Sequence, residues 1–210
     1  MLLSPIITCP LSAYSQAPDI TFDAGFKTVI VPGDFGTDGN YSILQSYAEQ
    51  AGTNLFYSFD QFGVPTGGTA IFHVEDSISN VISRVIGGAS SFIDGEISIA
   101  DGGNGANFWM VNPAGVVFGA NATIDVGGTF NVGAADTINS ATDESFYKIV
   151  DGTVTLSVDS PAAFGFLATG GGQLTLDGPK FDGPQPTNRF SDIYLDGRIV
   201  ELKDDTLIYP

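Results

Sequence analysis

Tight corners built on glycine recur so often in this chain that they constrain its fold more than any other feature. Glycine follows aspartate in seven places, and runs of glycine lie between them. Glycine adopts positive φ at little cost and aspartate can bond to its own backbone, so these pairs form sharp turns that leave room only for short strands. The Asp-Gly pairs occupy positions 38–39, 94–95, 101–102, 151–152, 177–178, 182–183 and 196–197.

Between the corners, apolar and polar residues alternate with the period of a half-buried strand. The alternation is clearest at 96–99, 123–126, 153–158 and 173–176. Two other segments, 108–111 and 116–118, are apolar throughout, which predicts that both faces of those strands are covered. Helix signals are sparse: we expect a short helix at 42–50 and one helical turn starting at Pro161.

Short strands with tight corners fit three all-β architectures: a sandwich, an antiparallel barrel and a β-helix. The strands do not pair into hairpins of equal length, whereas small residues and asparagine recur at corners, where like corners of a β-helix would stack. Both observations favour the β-helix. The stretch 178–191 is rich in proline, glycine and aspartate and is expected to be a long loop before two further strands, at 193–195 and 199–201.

The charge balance narrows the set of partners. The chain has 24 Asp and Glu against 7 Lys and Arg, a net charge of -17. Such a surface repels phosphate backbones and anionic lipid headgroups, so we predict that the protein does not bind nucleic acid. The same charge keeps a protein soluble outside the cell.

The N-terminus indicates export. We interpret residues 1–17 as a signal peptide, because residues 1–13 are mostly apolar and uncharged and small residues at Ser15 and Ala17 resemble a cleavage site. Cys9, the only cysteine, lies in this segment, so neither an intramolecular disulfide nor a cysteine metal site can form. No later stretch is long and apolar enough to be a transmembrane segment.

Two short motifs stand out. Asn112-Pro113-Ala114-Gly115 has the residue pattern of a type I turn and joins the two apolar strands described above. Asn54 and Leu55 begin an aromatic-rich strand that runs to Phe59. Taken alone, both motifs are explained as structural elements.

The order of several phrases resembles the N-terminal secretion (TPS, two-partner secretion) domain of the filamentous haemagglutinin family, in its cyanobacterial form. The resemblance spans about residues 19–177, and the matching phrases lie at 52–59, 62–72, 82–88, 93–95, 109–119, 127–130 and 163–167. Asn54-Leu55 matches the end of the family's Asn-Pro-Asn-Leu motif, with Gly52-Thr53 in place of its start. Residues 112–115 match its Asn-Pro-Asn-Gly motif, with Ala114 replacing the second asparagine.

The resemblance implies a fold, a partner and a route. Family members are right-handed parallel β-helices (single-stranded solenoids) with extra-helical β-strands and an N-terminal cap. They are recognised in the periplasm by the POTRA domains of an outer-membrane TpsB-type barrel and threaded outward. On this basis Asn54, Leu55, Asn112, Pro113 and Gly115 are predicted to serve partner recognition or to nucleate the fold.

No catalytic site is predicted. His73 is the only histidine, and no Gly-x-Ser-x-Gly elbow presents a serine, so a surface or satisfied strand histidine is expected. A polysaccharide-active β-helix with paired carboxylates remains an alternative, although many aspartates are already explained by corners. Residues 102–107 resemble one calcium-binding nonapeptide repeat, but a single copy cannot form the stacked site, so we predict no metal and no cofactor.

The sequence therefore predicts a signal peptide at 1–17, a TPS β-helix domain at 18–180, and a loop with terminal strands at 181–210 that form either a last coil or the start of a truncated passenger. The predicted function is a secretion-signal module of a two-partner-secreted exoprotein or adhesin, monomeric and not an enzyme. It would reach the medium or cell surface through the periplasm. The alternative is a β-helix that adheres to host-cell or surface glycans without partner-dependent export.

Overall fold

The protein is described here by a computed structural model covering residues 20–24, 26–27, 36, 39–102, 105–141, 147–148, 156–167, 172–181, 189–203 and 206–208. The predicted signal peptide, with Cys9, lies outside the described residues. So do the Asp-Gly corners at 151–152 and 182–183, the middle half of the loop at 178–191 and part of the repeat-like segment at 102–107.

The described residues are almost entirely strands and corners. The single short helix among them is a 3-10 turn, Gln45–Tyr47, set between two strands. The strands are β1 (Thr21–Phe22), β2 (Asn40–Leu44), β3 (Glu49–Ala51), β4 (Asn54–Gln61), β5 (Thr69–Val74), β6 (Asn80–Val85), β7 (Ser91–Ile93), β8 (Glu96–Asp101), β9 (Asn107–Val111), β10 (Val116–Phe118), β11 (Thr123–Asp125), β12 (Phe130–Ala134), β13 (Thr137–Ser140), β14 (Tyr147–Lys148), β15 (Pro161–Gly165), β16 (Gln173–Asp177), β17 (Lys180–Phe181), β18 (Ile193–Gly197), β19 (Ile199–Lys203) and β20 (Leu207–Ile208).

Both helix predictions were wrong. Residues 42–50 form parts of β2 and β3 around the 3-10 turn, and Pro161 opens strand β15. Apolar residues of β2 such as Ile43 point into the core of the protein, and this burial outweighs the weak local preference for helix. Pro161 begins its strand, a position where the missing N–H of proline is tolerated.

The strands wind into a β-solenoid of about 5 turns, called coils 1 to 5 below after the successive strands β4, β6, β9, β12 and β18 that they contain. Each complete coil contributes one strand to each of three parallel sheets. Sheet A contains β4, β6, β9, β12 and β18; sheet B contains β2, β5, β8 and β11; sheet C contains β7, β10, β16 and β19. The all-β fold and the solenoid architecture are thus confirmed.

The interior of the solenoid is filled by apolar side chains from all three sheets. Aromatic rings contact one another from coil to coil: the Phe72 and Phe108 ring centroids lie 5.3 Å apart, and those of Phe108 and Phe130 lie 5.4 Å apart. Phe118 continues this column to Phe181 at 5.6 Å. Phe108 and Phe130 are in-register neighbours in sheet A, whereas the other two pairs join rings from different sheets. Such ring contacts stabilise each pair beyond its area burial.

Stacked corners hold the coils in register. A Cβ on Gly95 would lie 2.4 Å from the carbonyl oxygen of Gly68, one coil earlier, so the corner has no space for a side chain. The neighbouring Asp94 carboxylate accepts hydrogen bonds from the backbone N–H of Asn121 (2.9 Å) and from the Thr66 hydroxyl. The Asp94-Gly95 pair therefore connects successive coils through close packing and hydrogen bonds.

Extra-helical strands cover the outer face of sheet A. Strand β13 pairs antiparallel with β14 and β15, and apolar residues from this layer and from sheet A form a second cluster that includes Ile82, Trp109, Val111 and Ile138. The prediction that both faces of 108–111 are covered is confirmed. It was wrong for 116–118, because Val117 on the outer face of sheet C is only partly buried.

The two ends of the solenoid differ. At the N-terminal end, the edge strand β4 pairs antiparallel with β3 and with β1, which together form the cap. At the other end, β18 stacks parallel on β12 and β19 stacks parallel on β16. No helix in the described part of the chain is long and apolar enough to cross a membrane.

Candidate functional site

The two predicted motifs lie at opposite ends of the sheet A strands. Asn54 is the first residue of β4 in coil 1, whereas Asn112 directly follows β9 in coil 3. Because the strands of sheet A are parallel and in register, Asn54 aligns with Asn107 at the start of β9, a full strand length before Asn112. The structure therefore does not bring the two motifs together into one site.

Asn54 links the solenoid to the extra-helical segment, residues 157–165, through buried hydrogen bonds. Its side chain is completely buried. The amide nitrogen donates to the carbonyl oxygens of Ser157 (3.0 Å) and Asp159 (2.6 Å), more than a hundred residues away in the chain. The amide oxygen accepts a hydrogen bond from Asn80 (2.8 Å). Every hydrogen-bonding atom of the side chain is thus engaged inside the protein.

Asn54 also begins a ladder of asparagines that runs along one edge of sheet A. Asn80 donates to Asn54, and Asn107 donates to Asn80 at 3.1 Å; the pairs are separated by 26 and 27 residues. Asn107 in turn accepts from the backbone N–H of Thr129 at 3.0 Å. Equal positions in successive coils therefore carry equal side chains, and their hydrogen bonds fix the stacking register.

Leu55 faces the other way from Asn54. Its side chain is completely buried in the apolar interior, in the strand that forms the first layer of the core. Adjacent residues of a strand point to opposite faces, so this motif fixes both faces of β4 at once. In the folded protein neither side chain is available to a partner.

Asn112 shapes the turn after β9 and ties it to the preceding coil. Its side-chain oxygen accepts from the N–H of Ala114 (2.9 Å), and its backbone oxygen accepts from the N–H of Gly115 (3.0 Å). The amide nitrogen donates to the carbonyl of Ala89 and to the Ser91 hydroxyl, both at 3.0 Å. The side chain is buried.

The remaining motif residues close the same turn. Gly115 has a φ of +117°, and a Cβ there would lie 2.8 Å from the carbonyl oxygen of Gln173 in the next coil, so only glycine fits. Pro113 and Ala114 are half-buried and form the part of the motif that solvent reaches. The carbonyl of Ala114 accepts from the Ser90 hydroxyl at 2.8 Å.

Arg84 is a buried cation that sequence reasoning missed. On the outer face of sheet A, its Nε donates to the Ser58 hydroxyl (2.7 Å), and its guanidinium lies 3.5 Å from the Asp23 carboxylate. The Ser58 hydroxyl also donates to Asp23 at 2.9 Å, and Arg84 lies over the ring of Phe26. This network holds the residues that follow β1, Asp23 and Phe26, against sheet A. A lone arginine in an apolar strand was the only signal for it.

The histidine considered for catalysis lies on strand β5. Its Nδ1 is 2.8 Å from the Asp101 carboxylate, and the Asp101 side chain is largely exposed. Among the described residues, no group of three or more His, Cys, Asp and Glu is placed to hold a metal ion. The geometry around His73 is that of a hydrogen-bonded pair at the surface, which agrees with its interpretation as a strand histidine.

Comparison with known proteins adds one finding. A family model described as the TPS secretion domain matches residues 32–203. The matched range includes Asn54, Asn112, Arg84 and the strands of all five coils. No curated protein matches the chain.

Proposed function

The chain belongs to the TPS secretion domain family, which comprises non-catalytic secretion modules of two-partner secreted proteins, and we propose from this that it is recognised by the POTRA domains of an outer-membrane TpsB-type barrel. The single observation that carries the proposal is the family match over residues 32–203, nearly the whole solenoid. The chain is exported through the periplasm to the cell surface or medium.

Recognition takes place before the solenoid folds. Asn54, Leu55 and Asn112 are buried, and their polar atoms are committed to internal hydrogen bonds. A partner that reads these side chains has to meet them in an extended chain. The same residues then stabilise the folded protein, so each motif serves first transport and then folding.

The architecture supports export of an unfolded chain. Each coil contacts chiefly the coils beside it, so a solenoid can fold progressively as its strands emerge from a pore. No cysteine follows Cys9, so no internal disulfide can obstruct the passage. We assign the signal peptide to 1–17 and the TPS β-helix to 18–180. Residues 181–210 are assigned to a loop and a last coil, because β18 and β19 stack on coil 4. The module acts as a monomer and has no catalytic role.

An export assay tests the proposal. The full chain is expressed in a Gram-negative host with and without a candidate TpsB-type barrel, and its amounts in the periplasm and medium are measured. We expect the protein in the medium only when the barrel is present. A stable folded β protein that stays in the periplasm with every barrel tested would overturn the proposal.

Two matched variants separate recognition from stability. Asn112→Ala removes a motif side chain, whereas Asn131→Ala removes another buried asparagine whose amide also donates to two oxygens, those of Phe108 and Thr129. Asn112→Ala additionally loses the bond that its side-chain oxygen accepts from Ala114, worth about 1 kcal/mol, so the stability of each variant is measured beside its export. We expect export to fall much more for Asn112→Ala. Equal losses would mean that Asn112 acts only through the stability of the fold.

A further inference from the structure

A groove crosses the outer face of sheet A beside the extra-helical strand β15. Its volume is about 520 Å³, within the range of small-ligand sites. The floor is formed by β9, β12 and β18, and the wall by β15, which is an edge strand among the described residues. Neither Asn54-Leu55 nor residues 112–115 line it.

The floor carries a row of three side chains that suits a flat ligand. Trp109 pairs in register with Asn131, and Asn131 with Tyr194, so the three occupy one level on neighbouring strands. Neighbouring strands are about 4.8 Å apart, so an aromatic ring, an amide and a second aromatic ring follow one another along the floor. Tyr194 is 58% exposed and its ring is open to solvent.

Phe164 forms the apolar wall of the groove. Its ring centroid lies 5.5 Å from that of Trp109. The ring packs directly on Gly133, where a Cβ would be only 2.7 Å away, so this wall depends on a glycine in β12. The rings of Trp109 and Phe164 are tilted by 53°, which gives an open angle and not an enclosed cage.

The polar groups of the groove are unused acceptors. The Asn131 amide nitrogen donates to two backbone oxygens, but within the described residues its Oδ1 accepts no hydrogen bond, and the same holds for the Asp196 carboxylate. The buried indole N–H of Trp109 has no acceptor in the described structure either, and such unsatisfied groups are rare in folded proteins. None of the described residues that line the groove is a lysine, arginine or histidine, so an anion would find no counter-charge among them.

We propose that this groove binds a neutral oligosaccharide. Sugar rings present apolar C–H faces, which pack on Tyr194 and Phe164, and hydroxyl donors, which reach the Asp196 carboxylate and the small exposed part of the otherwise buried Asn131. A small organic cation is the competing ligand, because aromatic rings and a carboxylate also attract positive charge. The open angle between the Trp109 and Phe164 rings and the uncharged acceptor of Asn131 favour the sugar.

Titration of the purified, folded full chain tests this proposal without any transporter, so its outcome is independent of the secretion role. The probes are glucose-, galactose- and mannose-based neutral trisaccharides, with tetramethylammonium chloride as the cation. Trp109 is the only tryptophan, so its fluorescence reports on the groove alone. We expect a saturable change with at least one trisaccharide at millimolar concentration.

Three variants locate the binding. Tyr194→Ala and Asp196→Ala each remove one groove contact and are expected to weaken binding roughly tenfold or more. Leu202→Ala is the matched control, because Leu202 is also exposed and lies on the same coil but outside the groove. It is expected to bind like the wild type. Saturation by tetramethylammonium alone, no saturation by any trisaccharide, or equal affinities in all variants would overturn the proposal.

Discussion

The two ends of the solenoid are built in opposite ways. At the closed end, antiparallel strands β3 and β1 occupy the outer edge of β4, so no further parallel coil can add there. At the open end, β18 and β19 are the last strands of sheets A and C, and no strand of the described chain pairs with their outer edges. The comparison shows that direction is built into the fold: stacking stops at one end and can continue at the other.

The exposure of side chains also differs between the two ends. The closed end is covered by the network of the buried Arg84 and by the half-buried Phe22 ring, which lies 5.0 Å from that of Phe59. Most of the large apolar residues that are exposed in the described structure lie at the open end: Tyr194, Ile199, Val200, Leu202, Leu207 and Ile208. A solenoid end that meets only water usually carries a polar cap. The open end is therefore suited to accept a further layer.

The largest expected effect is at the closed end. Arg84→Met removes the guanidinium that faces the Asp23 carboxylate, and we expect the free energy of unfolding to fall by about 3–5 kcal/mol, the usual cost of breaking a buried pair. Urea denaturation measures it. The matched control is Arg198→Met, at an exposed arginine near the open end, with an expected change within about 0.5 kcal/mol. Equal losses would remove the contrast between the ends.

Asn54→Ala should have the next largest effect. It removes the hydrogen bonds to Ser157 and Asp159 and leaves the buried Asn80 amide without its acceptor, so a loss of about 2–3 kcal/mol is expected. Hydrogen exchange should show the extra-helical segment loosening first. Asn40→Ala, at an exposed asparagine in the same coil, is the control. No change in either measurement would mean that these buried hydrogen bonds are dispensable.

Tyr57 gives the first coil a dependence on pH. Burial raises the pKa of its hydroxyl above the ordinary value, so the folded state holds the neutral form. The contribution of Tyr57 to the free energy of unfolding is complete below about pH 10, the pKa of an unfolded tyrosine, and is lost as the pH rises further. Tyr57→Phe should flatten this alkaline loss while costing about 1 kcal/mol at neutral pH for the bond to Leu44. Tyr194→Phe, at an exposed ring, should keep the wild-type profile.

The smallest effect is expected at the open end. Leu202→Asp places a charge on a side chain that is 61% exposed, so the free energy of unfolding should change by less than about 0.5 kcal/mol, and aggregation in concentrated solution should decrease. Leu176→Asp is the control, since Leu176 is the in-register neighbour of Leu202 and is fully buried. It should unfold the protein. A large loss for Leu202→Asp would show that the end is already sealed.

Much of the fold could be predicted from local patterns. Alternation at 96–99 and 123–126 identified strands that pair in register, with Ile97 against Ile124. The coil spacing was also present in the sequence, because Asn54, Asn80 and Asn107 recur at 26 and 27 residues. That spacing was not recognised, since the residues between them are too variable for a repeat to stand out. The short strand at β3 was mistaken for helix because its partner β4 is supplied only by the tertiary fold.

The site was harder to predict than the fold. Sequence identified Asn54 and Asn112 as important but not that both are buried, because burial depends on segments such as 157–159 that lie far away in the chain. The groove could not be foreseen at all. Its floor joins Trp109, Asn131 and Tyr194 from three coils, and only the register of parallel strands places them side by side.

The central claim is that the motifs are read before they are buried, and one binding measurement tests it most directly. The POTRA domains of a partner barrel are titrated with the folded wild type and with Phe108→Asp, which keeps both motifs but places a charge in the core and should prevent folding. Circular dichroism confirms the state of each chain. We predict that the unfolded variant binds at least about tenfold more tightly and that adding Asn112→Ala to it abolishes the gain. Equal or tighter binding by the folded wild type would contradict the account.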